Sequence, residues 1–250
     1  MRISAIIITK NAGATIRRCL ESVAWADETV VVDSGSSDDT PAICRELGAT
    51  FIVTTDWPGF GPQKNRALEA SSGDWIFNID ADEWVTTGLR DEIRATIDGT
   101  DAAAAYAIPR RSSFCGRIMN HSGWWPDHVV RLFRRGTARF SDDRAHERLV
   151  VDGITRKLRQ PLMHEAITDM EQMLGKMNLY SSASARMLHE RGRRASIATA
   201  LLHGGWAFFR TYVLRRGFLD GREGFILAVA NAEGSYYRYI KLMLQQESSR

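Results

Sequence analysis

The first eighty residues alternate between short β-branched runs and helix-forming stretches, and that alternation leaves the chain few folds. Ile3 to Ile8 is apolar except for Ser4, too short for a helix and suited to a buried strand. Thr29 to Val32, Thr50 to Val53 and Trp75 to Ile79 repeat the pattern. Between them, Thr15 to Val23, a stretch opened by Thr40-Pro41 and closed by Gly48, and Gln63 to Ser71 read as helices, with Thr40 as the expected N-cap. Strands and helices at this spacing predict right-handed βαβ units and a mostly parallel sheet, whose ligands sit beyond the carboxyl ends of the strands. Polar clusters fall at three of those ends: Thr9-Lys10-Asn11, Asp33 to Asp39, and Asp80 to Glu83. No G-x-G-x-x-G follows the first strand and no G-x-x-x-x-G-K-[ST] occurs, which disfavours a dinucleotide site and a P-loop.

The third cluster raises an electrostatic problem. Asp80, Asp82 and Glu83 stand within four residues, directly after an apolar run. Such crowding destabilises a fold unless positive charge meets it. On an extended segment, Asp80 and Asp82 share a face. A hard divalent cation, held by carboxylates and phosphate oxygens, would answer the charge and stabilise a diphosphate leaving group. A solvated turn is the alternative.

Charge is also uneven along the chain. Residues 1–100 carry 9 Lys/Arg against 16 Asp/Glu, whereas 101–166 and 167–250 each carry 12 against 7. The acidic front argues against a nucleic-acid groove there, and the basic rear suits phosphates or anionic lipid. Three cysteines without metal or redox spacing read as reduced thiols of a cytoplasmic protein. The opening Met1-Arg2-Ile3-Ser4-Ala5 leads into an apolar run with no small-residue cleavage site after it, so no signal peptide is expected.

The ordered set of strand ends, Thr9-Lys10-Asn11, then Asp33-Ser34-Gly35-Ser36, then Asp80-Ala81-Asp82-Glu83, resembles the family 2 inverting glycosyltransferases of the GT-A fold. "GFGPQKNRALEAS", "WIFNIDADEWV", "WWPDHVVRLFRR", "AHERL" and "LDGREGF" carry the likeness along nearly the whole chain, towards the bacterial lipopolysaccharide-core β-glucosyltransferase subgroup. The resemblance implies a GT-A type, Rossmann-like α/β sandwich with a mostly parallel central sheet over residues 1–166. A helical extension over 167–250 would attach to membrane or form oligomers. It implies a UDP-sugar donor, UDP-glucose by the subgroup's likeness, and a lipopolysaccharide inner-core acceptor such as a heptose. It also implies a divalent cation, Mn2+ or Mg2+, with Asp82 as direct ligand, Asp80 touching the donor and Glu83 supporting both.

Thr9, Lys10 and Asn11 would line the base, and Asp33 would accept from uracil N3–H or a ribose hydroxyl, with Ser36, Ser37 and Asp39 structural. Lys64 would meet the pyrophosphate; an exposed helix lysine is the alternative. The family's base ends an x-Glu-Asp motif. Its counterpart is Ala145-His146-Glu147, so Glu147 would take the acceptor hydroxyl's proton, the alternative being an ion pair with Arg144 or Arg148. His164 would bind the cation or a phosphate, or be structural; a neutral imidazole among oxygen ligands suits either metal. In Gly123-Trp124-Trp125-Pro126-Asp127, aromatic faces would stack on sugar and Asp127 would bond sugar hydroxyls, with core packing as the alternative. Arg131 would contact phosphate, and Arg134 and Arg135 would be surface.

Ile167, Met170, Leu174, Met177 and Leu188 recur at helical spacing, Gly192-Arg193-Arg194 breaks the pattern, and Phe225 to Tyr239 reads as a further helix. Ile197 to Leu214 is apolar, but 18 residues containing His203, Gly204-Gly205 and Arg210 suit an interfacial or partly buried helix better than a span. Peripheral attachment to an anionic cytoplasmic leaflet and packing on the core or on a second copy are both open. The rivals to a transferase are a sugar-phosphate nucleotidyltransferase, which would release pyrophosphate, and a non-catalytic membrane adaptor with a degenerate core.

Overall fold

The computed structural model describes residues 1–99, 103–142 and 148–247. The chain runs β1 (Ile3–Thr9), α1 (Ile16–Ser22), β2 (Glu28–Asp33), α2 (Thr40–Glu46), β3 (Thr50–Val53), α3 (Phe60–Ala70) and β4 (Trp75–Asn78). It continues through β5 (Glu83–Val85), α4 (Thr87–Asp98), β6 (Ala105–Phe114), β7 (Arg117–Ile118), β8 (Asp127–Arg134), β9 (Ala138–Phe140), β10 (Leu149–Val151), β11 (Thr155–Lys157) and β12 (Leu162–Ile167). It ends with α5 (Met170–Glu190), α6 (Ile197–Phe209) and α7 (Gly221–Glu247), the last two joined by a π turn, Arg210–Leu214, and a 3-10 turn, Gly217–Asp220. The fold is mixed α/β with a curled, mostly parallel central sheet and C-terminal helices, the class anticipated from the sequence.

Two compact units divide it: Met1–Arg110 with Asp127–His164, and Arg111–Pro126 with Glu165–Arg250. In the first, β3, β2, β1 and β4 lie side by side and all parallel. β1 is buried on both faces, from Ile3 through Ile7, as its unbroken apolar run requires. The chain moves outward from β1 through β2 to β3, then returns to place β4 on the other side of β1. That reversal of strand order opens a crevice at the carboxyl end of β1. Thr9 pairs with Asp33 in register, and Ile79 N–H reaches the Ile6 carbonyl at 3.1 Å, so the loops after β1, β2 and β4 emerge at one edge. Beyond β4 the sheet turns antiparallel, with β8 against β4 and β6 against β8. One face of the sheet buries Ile7, Phe77, Leu89 and Ile93, and the other Ile6, Val32, Ala67 and Phe133.

Local expectations change at Thr40 and Ile167. Thr40 does not cap α2. The Thr40 amide is met by Asp38 Oδ1 at 3.1 Å, while the Thr40 hydroxyl accepts from Ala12 N–H at 2.8 Å, because the neighbouring β1 loop needs that acceptor. Ile167 ends β12 instead of starting a helix. Its carbonyl accepts from Cys115 N–H at 2.8 Å.

The second unit includes 111–126 as well as the rear. β6 runs on past Arg110 into a hairpin with β7, and Phe114 and Met119 from that hairpin bury with Ile167 and Leu227. α5 is capped by Asp169, whose side chain accepts from Gln172 N–H, and the left-handed Gly192, at φ +68°, follows its C-cap Arg191. The helix expected from Ile197 to Leu214 is α-helical only to Phe209. It then widens into the π turn, which points Thr211 inward to accept from Asn231 Nδ2 at 3.3 Å. Among the described residues, no helix is long and apolar enough to cross a membrane.

Candidate active site

The loop after β4 is a tight turn, not the extended segment expected from residue spacing. Glu83 N–H donates to the Asp80 carbonyl at 3.0 Å, and Asp80 N–H donates back to Glu83 Oε2 at 3.0 Å. The shared-face argument for Asp80 and Asp82 therefore fails. A turn rotates successive side chains apart, and the two carboxylates meet different partners.

Asp80 lies between two cations supplied by the chain. Lys64 Nζ, from α3, stands 3.3 Å from Asp80 Oδ1, and Arg131 Nη2, from β8, hydrogen-bonds Asp80 Oδ2. The same Nη2 donates to Glu83 Oε1 at 2.6 Å. Arg110 adds a third cation, 3.6 Å from Glu83 Oε1 and 2.7 Å from Asp127 Oδ2; Arg110 and Asp127 are paired in register on β6 and β8. Burial works against an ionised Asp80, but the Arg131 and Lys64 charges outweigh it and hold the carboxyl far below its usual range. Burial pushes Glu83 up, and the Asp80 charge adds to that rise while Arg131 opposes it. Arg131 is itself raised, its two carboxylate partners overcoming the effect of burial. Beneath the turn, the buried Cys19 thiol faces the Asp80 carbonyl at 3.5 Å. Burial, reinforced by the Glu83, Asp80 and Asp82 charges, keeps it protonated.

Lys64 is buried, not an exposed helix lysine, and its ammonium faces the acidic turn. Arg131 is equally buried and faces the carboxylates. Neither Arg110 nor Cys19 stands out in the sequence, because only strand register and helix packing bring them to the turn.

Asp82 turns towards His164 on β12, with Oδ2 and Nε2 3.6 Å apart. An oxygen and a nitrogen donor at that spacing suit a divalent cation. Among the described residues, no group of three or more His, Cys, Asp or Glu is arranged to hold a metal alone. Two protein donors fit a cation shared with substrate phosphates, as hard cations at phosphate sites usually are.

The loops after β1 and β2 brace one another. Asn11, at φ +51°, donates its N–H to Ser36 Oγ at 2.7 Å and accepts from Ser37 N–H at 2.9 Å. Asp33 accepts from Gly35 N–H at 3.0 Å, Ser36 N–H at 2.8 Å and the Ser36 hydroxyl at 2.5 Å. Three of the roughly four acceptor sites of a carboxylate are thereby used in shaping the loop. Beside these loops is a cavity of about 380 Å³ lined by Ile8, Thr9, Lys10, Trp57 and Phe60. The Trp57 and Phe60 rings meet edge to face at 5.0 Å, both half exposed. Among the described residues, the buried Thr9 hydroxyl has no hydrogen-bond partner. An apolar, aromatic cavity with an unmet hydroxyl suits a flat heterocycle. Trp57 and Phe60 are not among the residues expected from the sequence, although Trp57-Pro58-Gly59-Phe60, four residues past the end of β3, carries a signal for them.

The remaining candidates separate. Trp124 packs edge-on against Phe114 at 6.0 Å in the second unit's core, and the Arg111 guanidinium lies 5.4 Å from the Trp125 ring. Gly123 does permit a close approach, and what approaches is the chain's own Arg215: a Cβ at Gly123 would lie 2.4 Å from Arg215 Nη1. Glu147 lies outside the described residues.

Comparison with known proteins places this architecture. An uncharacterized glycosyltransferase of Rickettsia felis is 34% identical over 259 residues, covering 96% of this chain and 89% of the relative. A protein of Rhizobium meliloti named lipopolysaccharide core biosynthesis glycosyltransferase LpsC is 31% identical over 251 residues, covering 96% and 91%. The crystal structure of S. aureus TarS 1-349 in complex with UDP superposes with a TM-score of 0.51, covering 100% of this chain and 92% of that one; at 16% identity this shows the fold alone. The pattern described as "Glycosyl transferase family 2" matches residues 4–157, and with that match over more than half its length, the chain belongs to glycosyl transferase family 2.

Proposed function

We propose that this transferase moves a sugar, glucose by preference, from a UDP-sugar to a saccharide of the lipopolysaccharide inner core, with inversion, at the cytoplasmic face of a membrane. The observation that carries the reading is the acidic turn after β4, where Lys64 meets Asp80 and His164 meets Asp82. In the proposal, the uracil enters the cavity of Thr9, Lys10, Trp57 and Phe60, and Asn11 and Asp33 hold its loops in place. Lys64 is already desolvated and needs little reorganisation to swing its charge from Asp80 to a diphosphate. Asp80 and Asp127 take sugar or ribose hydroxyls, and Arg131 fixes the turn that presents them. Asp82 and His164 hold a divalent cation, which when bound stabilises charge on the departing diphosphate. Glu147 takes the proton from the acceptor hydroxyl, and one displacement by one base inverts the anomeric centre.

The donor reading draws on the UDP complex of TarS and the acceptor reading on the printed name of LpsC. The test is nucleoside diphosphate release from a panel of UDP-, GDP- and ADP-sugars, with manganese or magnesium, with and without core saccharide. UDP released from one sugar and accelerated by the acceptor supports the proposal. Release of pyrophosphate, or no turnover of any donor, overturns it.

A further inference from the structure

The 29 residues from Arg191 to Leu219 contain six arginines and no aspartate or glutamate. The structure folds three arginines of the second unit around one cavity of about 340 Å³: Arg210 and Arg215 from the π turn and its end, and Arg238 from α7, with His203, Trp206 and Asn231 among the other lining residues. Among the described residues, none of these three guanidiniums is ion-paired to a carboxylate. Arg238 Nε is buried and, among the described residues, has no hydrogen-bond partner. Burial, with the charge of Arg210 adding to it, holds the Arg215 guanidinium below its ordinary value. Arg215 is also fixed in place, seated over Gly123, and its carbonyl accepts from Ser122 N–H at 2.8 Å. Converging, unneutralised guanidiniums with an orphaned N–H describe a site built for an anion with several acceptor oxygens.

The rim identifies what carries the anion. Leu202, Trp206, Phe209 and Val213 follow one another at four-, three- and four-residue steps, and form a stripe along α6 into the π turn. All four are exposed, Leu202 by 74%. Trp206 belongs to the stripe and also lines the cavity. A soluble anion needs no apolar stripe beside its site, whereas an amphipathic helix with arginines beside exposed Leu, Trp and Phe matches the boundary between acyl chains and headgroups.

We propose that this cavity receives the phosphate of an anionic phospholipid headgroup, with the α6 stripe entering the outer acyl layer beside it. The inference deepens the membrane-surface part of the proposed function and rests on that part alone. Donor turnover in solution tests the transferase separately, so failure of one is distinguishable from failure of the other.

The experiment is flotation of the full chain with vesicles of phosphatidylcholine alone and of phosphatidylcholine mixed with phosphatidylglycerol. Arg210→Gln/Arg238→Gln and Leu202→Gln/Trp206→Gln are compared with the unaltered protein, circular dichroism verifies folding, and glycerol phosphate serves as soluble competitor. The expected result is binding to the anionic vesicles only, weakened about tenfold or more by either double substitution. Competition by glycerol phosphate is expected to be weak, because it lacks acyl chains. Absence of binding by folded protein overturns the inference, as does binding indifferent to the arginine pair. Calorimetric binding of glycerol phosphate without vesicle binding overturns the lipid source. Self-association that abolishes vesicle binding assigns the stripe to a second copy and overturns it equally.

Discussion

In the first unit, the turn after β4 gathers Asp80, Asp82 and Glu83, and the chain itself brings Lys64, Arg131, Arg110 and His164 to meet them. In the second unit, Arg210, Arg215 and Arg238 converge on a cavity with no carboxylate from the described residues. The contrast separates two uses of charge. Where opposite charges are both supplied internally, they fix a backbone shape and hold groups ready. Where one sign is left unanswered, the fold bears the repulsion unless solvent or an outside partner relieves it. On the proposed reading, the loop charges of the first unit would bear on stability and catalysis together, while the arginines of the second would bear on binding.

The strongest way to break this comparison is to remove the internal cation. Arg131→Met leaves Asp80 and the buried Glu83 without their shared partner, and is expected to cost about 3–5 kcal/mol in urea unfolding. Adding Glu83→Gln is expected to recover part of that loss. A variant as stable as the parent would show that the pairing is not what shapes the turn. Asp82→Asn should behave differently. Its side chain is 39% exposed and paired only loosely with His164, so the fold should hold while metal-dependent UDP release falls roughly a hundredfold. Equal losses of stability and turnover would erase the distinction between shaping and acting groups.

A smaller effect sharpens the contrast through pH. Burial disfavours an ionised Glu28, but the Ser4 hydroxyl at 2.5 Å and the Ser72 N–H at 2.7 Å outweigh it, and its carboxyl is lowered. A depressed acid contributes stability that is present above its unfolded value and lost as pH falls through its folded value. The urea midpoint of the parent should therefore drop as pH falls below the ordinary glutamate range and through the depressed value of Glu28, and Glu28→Gln should flatten that drop. An unchanged slope would remove Glu28 from the account. The smallest effects should be alike in both units. Thr86 accepts from Leu89 N–H at the start of α4, and Ser196 from Thr199 N–H at the start of α6, both at 3.2 Å. Thr86→Ala and Ser196→Ala should each cost about 1 kcal/mol by thermal or urea unfolding. A large difference between them would mean the units differ in local helix energetics as well as in charge.

The sequence alone determined the βαβ order, the strand ends that carry polar loops, the acidic cluster after β4 and the break after α5. Each depends on residues close together in the chain: apolar period, a turn glycine, a run of carboxylates. It also determined that the front is acidic and the rear basic, since composition needs no fold. Only the tertiary structure decided which cations answer which acids. Arg131 reaches Asp80 and Glu83 across 51 and 48 positions, and Arg110 meets Asp127 through strand register. Only the fold made Asp80 and Asp82 diverge, because the hydrogen bond that closes their turn depends on where Glu83 is held. Likewise, Gly123 makes room for Arg215, and Trp57 and Phe60 close a cavity beside Thr9. Local pattern fixes what each segment becomes; long-range pairing is a choice among many partners of similar charge and shape, and packing makes that choice.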